Sequence, residues 1–262
     1  MDYKTISEAV EPKTKSQIEE FSQNGVLIKK NFFPHDLLDA YTNEREKLLL
    51  GTDYYYSGWP HPIPYHDCKT MLDLATFAPL TELIEKCIGD PPGLHLCLTG
   101  FKSTEREFHS DSYLNPEGVD DHYIAAWIAL EDINPNSGPF QYVNASHKWP
   151  VIRRNKVWEV ELKRTGRIDS SRWPSDTQEW VGMACENEIK KREETIIDYV
   201  PQKGDLLLWH SFLIHRGSKP INPMLERRAL ICHYSSIFHR KDMPGVKKNA
   251  TDRSNGFYFN FR

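Results

Sequence analysis

Gly204-Asp-Leu-Leu-Leu-Trp-His-Ser-Phe-Leu-Ile-His215 is an apolar run with polar residues at its centre, the look of a buried pair of strands. Twelve residues past His215, Arg227-Arg-Ala-Leu-Ile-Cys-His-Tyr234 is another β-like run. Upstream lies His109-Ser-Asp111, its aspartate 104 residues before His215. On a strand, side chains alternate faces, so His109 and Asp111 point one way and Ser110 the other. A third polar residue can join them from a distant strand, and His215 is placed to do so.

Two imidazoles and one carboxylate form the facial triad that suits non-haem Fe(II), leaving three coordination positions open. Arg227 offers a planar guanidinium fork, which the far carboxylate of a metal-bound 2-oxo acid requires. Arg228 is its rival, and neighbours on a strand face opposite ways, so only one of them faces the metal. A bare HxD tripeptide is common and usually an ordinary strand or turn; the added histidine and arginine, both in strand-like text, give it weight.

From Phe108 to Lys148 the chain reads FHSDSYLNPEGVDDHYIAAWIALEDINPNSGPFQYVNASHK. With its HxD, a strand ending Trp-x-Ala-Leu, an Asn-x-x-x-Gly-Pro turn and a Ser-His-Lys, it resembles the phytanoyl-CoA dioxygenase family of Fe(II)/2-oxoglutarate oxygenases. The closing stretch GDLLLWHSFLIHRGSKPINPMLERRALICHYSS and the opening IEEFSQNGVLIKKNFFPHDLLD are similar to the same family. The resemblance implies a mainly β double-stranded β-helix (a cupin-like jelly roll) with flanking helices. It implies His109, Asp111 and His215 as iron ligands, Arg227 as anchor of the 2-oxoglutarate carboxylate, and Ser218 and Trp127 against the cosubstrate. Fe(II), 2-oxoglutarate and O2 would be the cofactors, and succinate and CO2 the products beside a hydroxylated substrate. Asp111 argues for hydroxylation, because halogenating relatives carry a small residue there; desaturation, ring closure and demethylation begin with the same hydrogen abstraction. Two departures stand out: Asn144-Ala145 precede Ser146 where the family usually has a glycine, and an extra residue separates His215 from Gly217.

Length and composition agree with one catalytic domain over residues 1–262, since large β folds often run this long. The net charge of −4 gives no global attraction to nucleic acid. Five cysteines, odd in number and without a CxxC, fit a reducing compartment. No stretch approaches the ~20 apolar residues of a membrane span. Residues 1–17 lack the apolar core of a signal peptide, so a cytoplasmic enzyme is expected.

Along the chain, helices are expected from Ile18 to a cap at Asn24-Gly25, from Pro34 to about Leu50, and over Leu72–Ile88 with a break near Pro79. Short strands are expected at Val26–Lys30, Leu94–Phe101, Phe108–Asp111, Tyr123–Leu130, Phe140–Val143, Thr195–Val200, Asp205–Trp209, Phe212–His215 and Arg228–Ser235, a sandwich or jelly-roll pattern. The segment at about 148–195 reads as an insertion. Between Lys148 and Arg172 it carries eight basic and three acidic residues, net +5 in a chain of −4. One reading is a solvated helix with scattered ion pairs; the other is a lid drawing an anionic substrate to the metal, with Arg153 and Arg154 as its contacts. Trp158, Trp173 and Trp180 in the same insertion are expected to be packing residues.

Tyr54-Tyr-Tyr-Ser-Gly-Trp59-Pro-His-Pro-Ile-Pro-Tyr65-His66 has three prolines in five residues, which exclude a regular helix there and leave an aromatic loop. It covers either the protein's own core or a substrate pocket walled by Trp59. His233 shares the parity of Arg227 and would face the interior, yet no fourth ligand is needed; it and His35, His61, His66, His95, His122, His147, His210 and His239 are assigned to no site. A zinc-dependent hydrolase would use the same three ligands but leaves Arg227 without a purpose. A non-catalytic jelly-roll binding protein is the remaining alternative. The expected partner is a small-molecule substrate, anionic if the basic segment contacts it.

Overall fold

Strands buried on both faces carry apolar residues at every position instead of every second one. Tyr123–Ala129 reads YIAAWIA and obeys that rule throughout; Leu206–His210 reads LLLWH and obeys it up to the half-buried His210 at its end. Ile124, Ala126, Ile128, Leu206 and Leu208 join one apolar cluster, while Ala125, Trp127, Leu207 and Trp209 join another on the opposite face.

The computed structural model describes residues 17–116, 118–119, 122–150, 152–169, 174 and 176–262. Its strands in chain order are β1 (Val26–Lys29), β2 (Pro92–Gly100), β3 (Tyr123–Ala129), β4 (Phe140–Val143), β5 (Ile196–Tyr199), β6 (Leu206–His210), β7 (His215–Gly217), β8 (Ala229–Ser236), β9 (Val246–Ala250) and β10 (Asn255–Phe259). Seven form one sheet in the order β1-β6-β3-β8-β2-β10-β9, and three form a smaller one, β5-β4-β7. The two sheets enclose the cluster of Trp127, Trp209, Phe140, Tyr142 and Tyr199, and the fold is a jelly roll. The far face of the large sheet is covered by α1 (residues 17–24), α2 (His35–Leu49), α4 (Lys69–Ala75) and α5 (Ala78–Ile88), with the short α3 (Tyr54–Ser57) at its edge. No helix among the described residues is long and apolar enough to cross a membrane.

Most strand expectations hold to within a residue or two; two differ for physical reasons, and one hairpin was not expected. Phe108–Asp111 is not a continuous strand: His109 alone is bridged, and a 3-10 turn begins at Asp111. Phe212–His215 is a turn leading into β7, because the Ser211 carbonyl is taken by the backbone N–H groups of Asp111 and Ser112 instead of a ladder. The β9–β10 hairpin, unexpected from sequence, is an edge whose outer strand Val-Lys-Lys-Asn-Ala is lysine-rich and exposed, so it lacks the apolar alternation that betrays a buried strand. The break expected near Pro79 falls at Thr76-Phe77, leaving Pro79 in the first turn of α5, where its missing N–H has no helical partner to lose.

The insertion folds as α6 (Arg154–Thr165) and α7 (Thr177–Arg192); Arg172 and Trp173 lie outside the described residues, as do residues 1–16. Val157, Val181, Cys185 and Ile189 pack with Phe108, Tyr113, Val143 and Ile214 in a third apolar cluster, so the insertion rests on the segments that carry His109 and His215. Leu208 is fully buried in the helix-covered core. Leu208→Ala is expected to cost about 2–5 kcal/mol, read as a fall in the urea midpoint at unchanged slope.

Candidate metal centre

Backbone pairing sets the two histidines. His109 donates its N–H to the His215 carbonyl at 3.0 Å and receives the reverse bond at 2.8 Å, a hydrogen-bonded antiparallel pair. Residues so paired project to one face, and the ring centroids lie 4.5 Å apart with planes tilted by 48°. Each Nδ1 donates to a carbonyl, His109 to Glu107 at 2.8 Å and His215 to Leu213 at 3.0 Å. A carbonyl can only accept, so both protons sit on Nδ1 and both Nε2 atoms present lone pairs.

Asp111 follows the extended Ser110 and turns back toward the pair. Its Oδ2 accepts from Trp209 Nε1 at 3.0 Å and lies 3.4 Å from the Tyr123 hydroxyl. Its Oδ1 is left 3.9 Å from His109 Nε2 and 3.8 Å from His215 Nε2. The alternation expected of a strand thus survives for one step, and the 3-10 turn completes the convergence.

All three side chains are buried. Burial, seconded by His215, pushes the His109 imidazole down to about 3, and burial lowers His215 as well. Burial acts to raise Asp111, but the imidazoles of His215, His233 and His109 and the Trp209 N–H outweigh it and hold the carboxyl below its ordinary range. Near neutral pH the set is two neutral imidazoles and a carboxylate, the protonation state in which these groups bind a divalent metal. The donors therefore fit Fe(II), with Trp209 and Tyr123 orienting the carboxylate. A second cluster is unlike it. Asp90 Oδ2 lies 3.2 Å from His122 Nδ1 and 3.5 Å from His239 Nε2, but those rings are stacked at 8°, so their in-plane lone pairs run side by side instead of converging.

Arg227 lines the chamber with the triad, and Arg228 turns outward to Glu226, Glu46 and Glu131, so the choice between them falls as parity required. Arg227 is only 2 % exposed. One Nη donates to the Gly138 carbonyl at 3.0 Å, Nε has no partner, and no carboxylate among the described residues pairs with it. Burial lowers its pKa to about 10, which still leaves it a cation at neutral pH. The Trp127 ring lies 6.0 Å from the guanidinium, and its buried Nε1 is unpartnered. Ser218 is close by, but its hydroxyl proton is used on the Pro139 carbonyl at 2.8 Å.

Sequence reasoning missed Trp209 and Tyr123, which hold the Asp111 carboxylate, and three further residues of the chamber. His233 shares the chamber, bonded through Nδ1 to the Tyr123 hydroxyl with Nε2 buried and unpartnered; its strand parity was the available signal. Thr104 and Arg106 also line it, from an irregular segment with no periodicity to read. Leu98, Thr104 and Arg106 line in addition a neighbouring cavity of about 910 Å³, one wall of which is the aromatic loop. Trp59 stands in that wall, its indole N–H donating to Thr99 at 3.1 Å. Arg153 and Arg154 line neither space: Arg153 stacks over Phe212 at 5.1 Å, and Arg154 reaches the Leu114 carbonyl at 3.4 Å.

Residues 78–229, which carry His109, Asp111, His215 and Arg227, match the profile of the family described as phytanoyl-CoA dioxygenase (PhyH). The chain belongs to the phytanoyl-CoA dioxygenase family. It is accordingly an Fe(II)- and 2-oxoglutarate-dependent dioxygenase, with His109, Asp111 and His215 as a triad suited to iron. The human peroxisomal phytanoyl-CoA dioxygenase is 24 % identical over 269 residues, 89 % of this chain and 72 % of that protein. Its rat counterpart is 28 % identical over 192 residues; there the alignment takes in 70 % of this chain and under half (46 %) of the relative. Among solved structures, the α-ketoglutarate-dependent epimerase SnoN from nogalamycin biosynthesis superposes with a TM-score of 0.64 at 16 % identity, covering 95 % of this chain and 98 % of that one. Iron-bound EctD from S. alaskensis gives 0.61 at 17 % identity over 86 % and 77 %. These likenesses carry the fold.

The two departures from the family's usual text have a local explanation only in part. Ala145 takes the left-handed conformation (φ 58°) that a glycine would adopt more easily, and its N–H is anchored to the Asn24 carbonyl at 2.8 Å. Nothing in the structure explains the extra residue between His215 and Gly217. The Gly138 of the Asn-x-x-x-Gly-Pro turn is required more strictly: it holds φ +81°, and a Cβ there would meet the Ser218 carbonyl oxygen at 2.5 Å. Gly138→Ala is expected to displace the carbonyl that seats Arg227 and to raise the Kd for 2-oxoglutarate severalfold at unchanged metal affinity, measured by titration of the metal-loaded protein.

Proposed function

We propose that this enzyme hydroxylates an unactivated C–H bond of a small, anionic metabolite. Substrate C–H, dioxygen and 2-oxoglutarate would give the alcohol, succinate and carbon dioxide, one oxygen atom passing to each organic product. Iron(II) held by His109, Asp111 and His215 supplies, with 2-oxoglutarate and dioxygen, the oxidising chemistry that no side chain has. The chain's own residues bind, orient and exclude water.

The observation that carries the reading is Arg227. A buried guanidinium without a carboxylate partner is costly, and an anion entering the chamber relieves that cost. The far carboxylate of 2-oxoglutarate is the natural occupant, meeting the planar fork from the chamber side. Trp127 Nε1 and the Thr104 hydroxyl are available as further donors, and Ser218 braces the Gly138-Pro139 turn through Pro139. Asp111 would supply a carboxylate donor where halogenating relatives carry a small residue, which favours hydroxylation. Trp59 and its neighbouring rings wall the cavity in which the substrate would sit, keeping water from the reacting carbon. The five unpaired thiols suit a reducing compartment, and we place the enzyme in the cytoplasm.

Succinate release from 2-oxoglutarate, measured across a panel of small metabolites, tests the reading. Turnover should rise with one compound class and vanish in His215→Ala. Arg227→Gln should raise the KM for 2-oxoglutarate about thirtyfold or more, since losing one partner of a buried charged pair costs roughly 2–5 kcal/mol. A protein with full iron occupancy that fails to bind 2-oxoglutarate would refute the role of Arg227.

A further inference from the structure

We propose that Arg106 binds the anionic group of the substrate, and that Gln178 on α7 is the residue that positions it. The inference rests on the oxygenase reading above and narrows its substrate to an organic anion with an apolar body.

Arg106 stands where the cavity and the metal chamber meet, since it lines both. The cavity's walls are largely apolar, with Tyr56, Trp59, Pro60, Pro62 and Leu96 among them. Among the described residues lining the two spaces, the one carboxylate is that of Asp111, a metal ligand; the cations are Lys102, Arg106 and Arg227. Lys102 already donates to the carbonyls of Pro223 and Leu225 at 2.8 and 2.9 Å, and Arg227 lies deep in the chamber. Arg106 instead has a neutral partner, the Gln178 carboxamide oxygen, and no ion pair among the described residues. Its exposed guanidinium thus has no acidic partner among the described residues and borders an apolar space that adjoins the triad's chamber. A ligand with an anionic head at Arg106 and a hydrocarbon or aromatic body along Trp59 satisfies both features at once.

Gln178 does more than meet Arg106. Its Oε1 also accepts from the Tyr113 hydroxyl at 2.9 Å, and its Nε2 donates to the Glu107 carbonyl at 3.3 Å. That same carbonyl receives the Nδ1–H of His109. One turn along α7, a Cβ on Gly182 would lie 2.5 Å from Glu107 Cβ, so the missing side chain is what lets α7 lie directly on the segment bearing Arg106 and Glu107. The basic insertion thus serves the site through a carboxamide and a glycine, not through Arg153 and Arg154.

Calorimetric titration tests this without turnover. Zn(II)-loaded protein, saturated with 2-oxoglutarate so that Arg227 is occupied, is titrated with octanoate and 3-phenylpropionate and with their primary amides. The acids should bind at least tenfold more tightly than the amides. Arg106→Gln should abolish that preference, Arg106→Lys should retain part of it, and Gln178→Ala should weaken the acids without weakening the amides. Prior 2-oxoglutarate binding in each sample reports that the variant is folded; if Arg106→Gln fails that check, Arg106→Lys decides, because an ammonium lacks the planar fork and should lose part of the preference. Equal binding of acids and amides, no binding by either acid, or an unaltered preference in the folded Arg106 variant overturns the proposal. A defect confined to succinate release would count against the oxygenase reading alone.

Discussion

The reciprocal backbone hydrogen bonds between His109 and His215 hold the rest of the centre in place. Because the two residues are a directly opposed antiparallel pair, their side chains share a face whatever their rotamers, and each ring then needs only one carbonyl to orient it. Asp111 is tied to the same pair through the Ser211 carbonyl, and Trp209, reaching from β6 in the facing sheet, fixes which carboxylate oxygen looks at the rings. The geometry of the three donors is thereby carried by main-chain bonds at the start of β7 and at Ser211, and by one indole of the large sheet. Such a site is preorganised by the fold itself.

Burial gives that geometry its chemical character. Two imidazoles whose protonation is suppressed, a carboxylate whose protonation is opposed by them, and a buried guanidinium with no carboxylate partner among the described residues line one chamber, with Arg106 at its border with the neighbouring cavity. A divalent cation answers the carboxylate and a dicarboxylate the buried guanidinium. Each complements a charge that the apolar surroundings leave poorly screened, which is why the donor set suits both groups at once.

The chain shares its family's chemistry with relatives whose aligned identity is 24–28 %. Around the chamber stand a proline-rich aromatic wall and the pair of helices α6 and α7, which reaches the centre through Gln178 and Gly182. Part of the basic character of α6 is spent at its surface, in the pairs of Lys156 with Glu159 and of Arg164 with Asp176. A positive segment near an active site is a poor guide to which cation serves it.

Much of the fold and the metal centre was legible in residue order because both obey short-range rules. Continuous apolar text marks strands buried on two faces, as in β3 and β6. HxD marks a same-face pair, and parity separates Arg227 from Arg228. Where a rule is local, it can be read without knowing the partner. The bend at Asp111, the edge hairpin of β9 and β10, the approach of His233 to the triad and the seat of Arg106 follow no such rule. They depend on which distant carbonyl, amide or ring arrives beside them: Ser211 for Asp111, Tyr123 for His233, Gln178 for Arg106. Residue order by itself determined the β class, the three donors that lie together and which of two adjacent arginines turns toward them, since alternation and spacing encode these. The tertiary structure decided which cation stands where the chamber and its neighbouring cavity meet, because its seat is set by a contact between residues 72 positions apart.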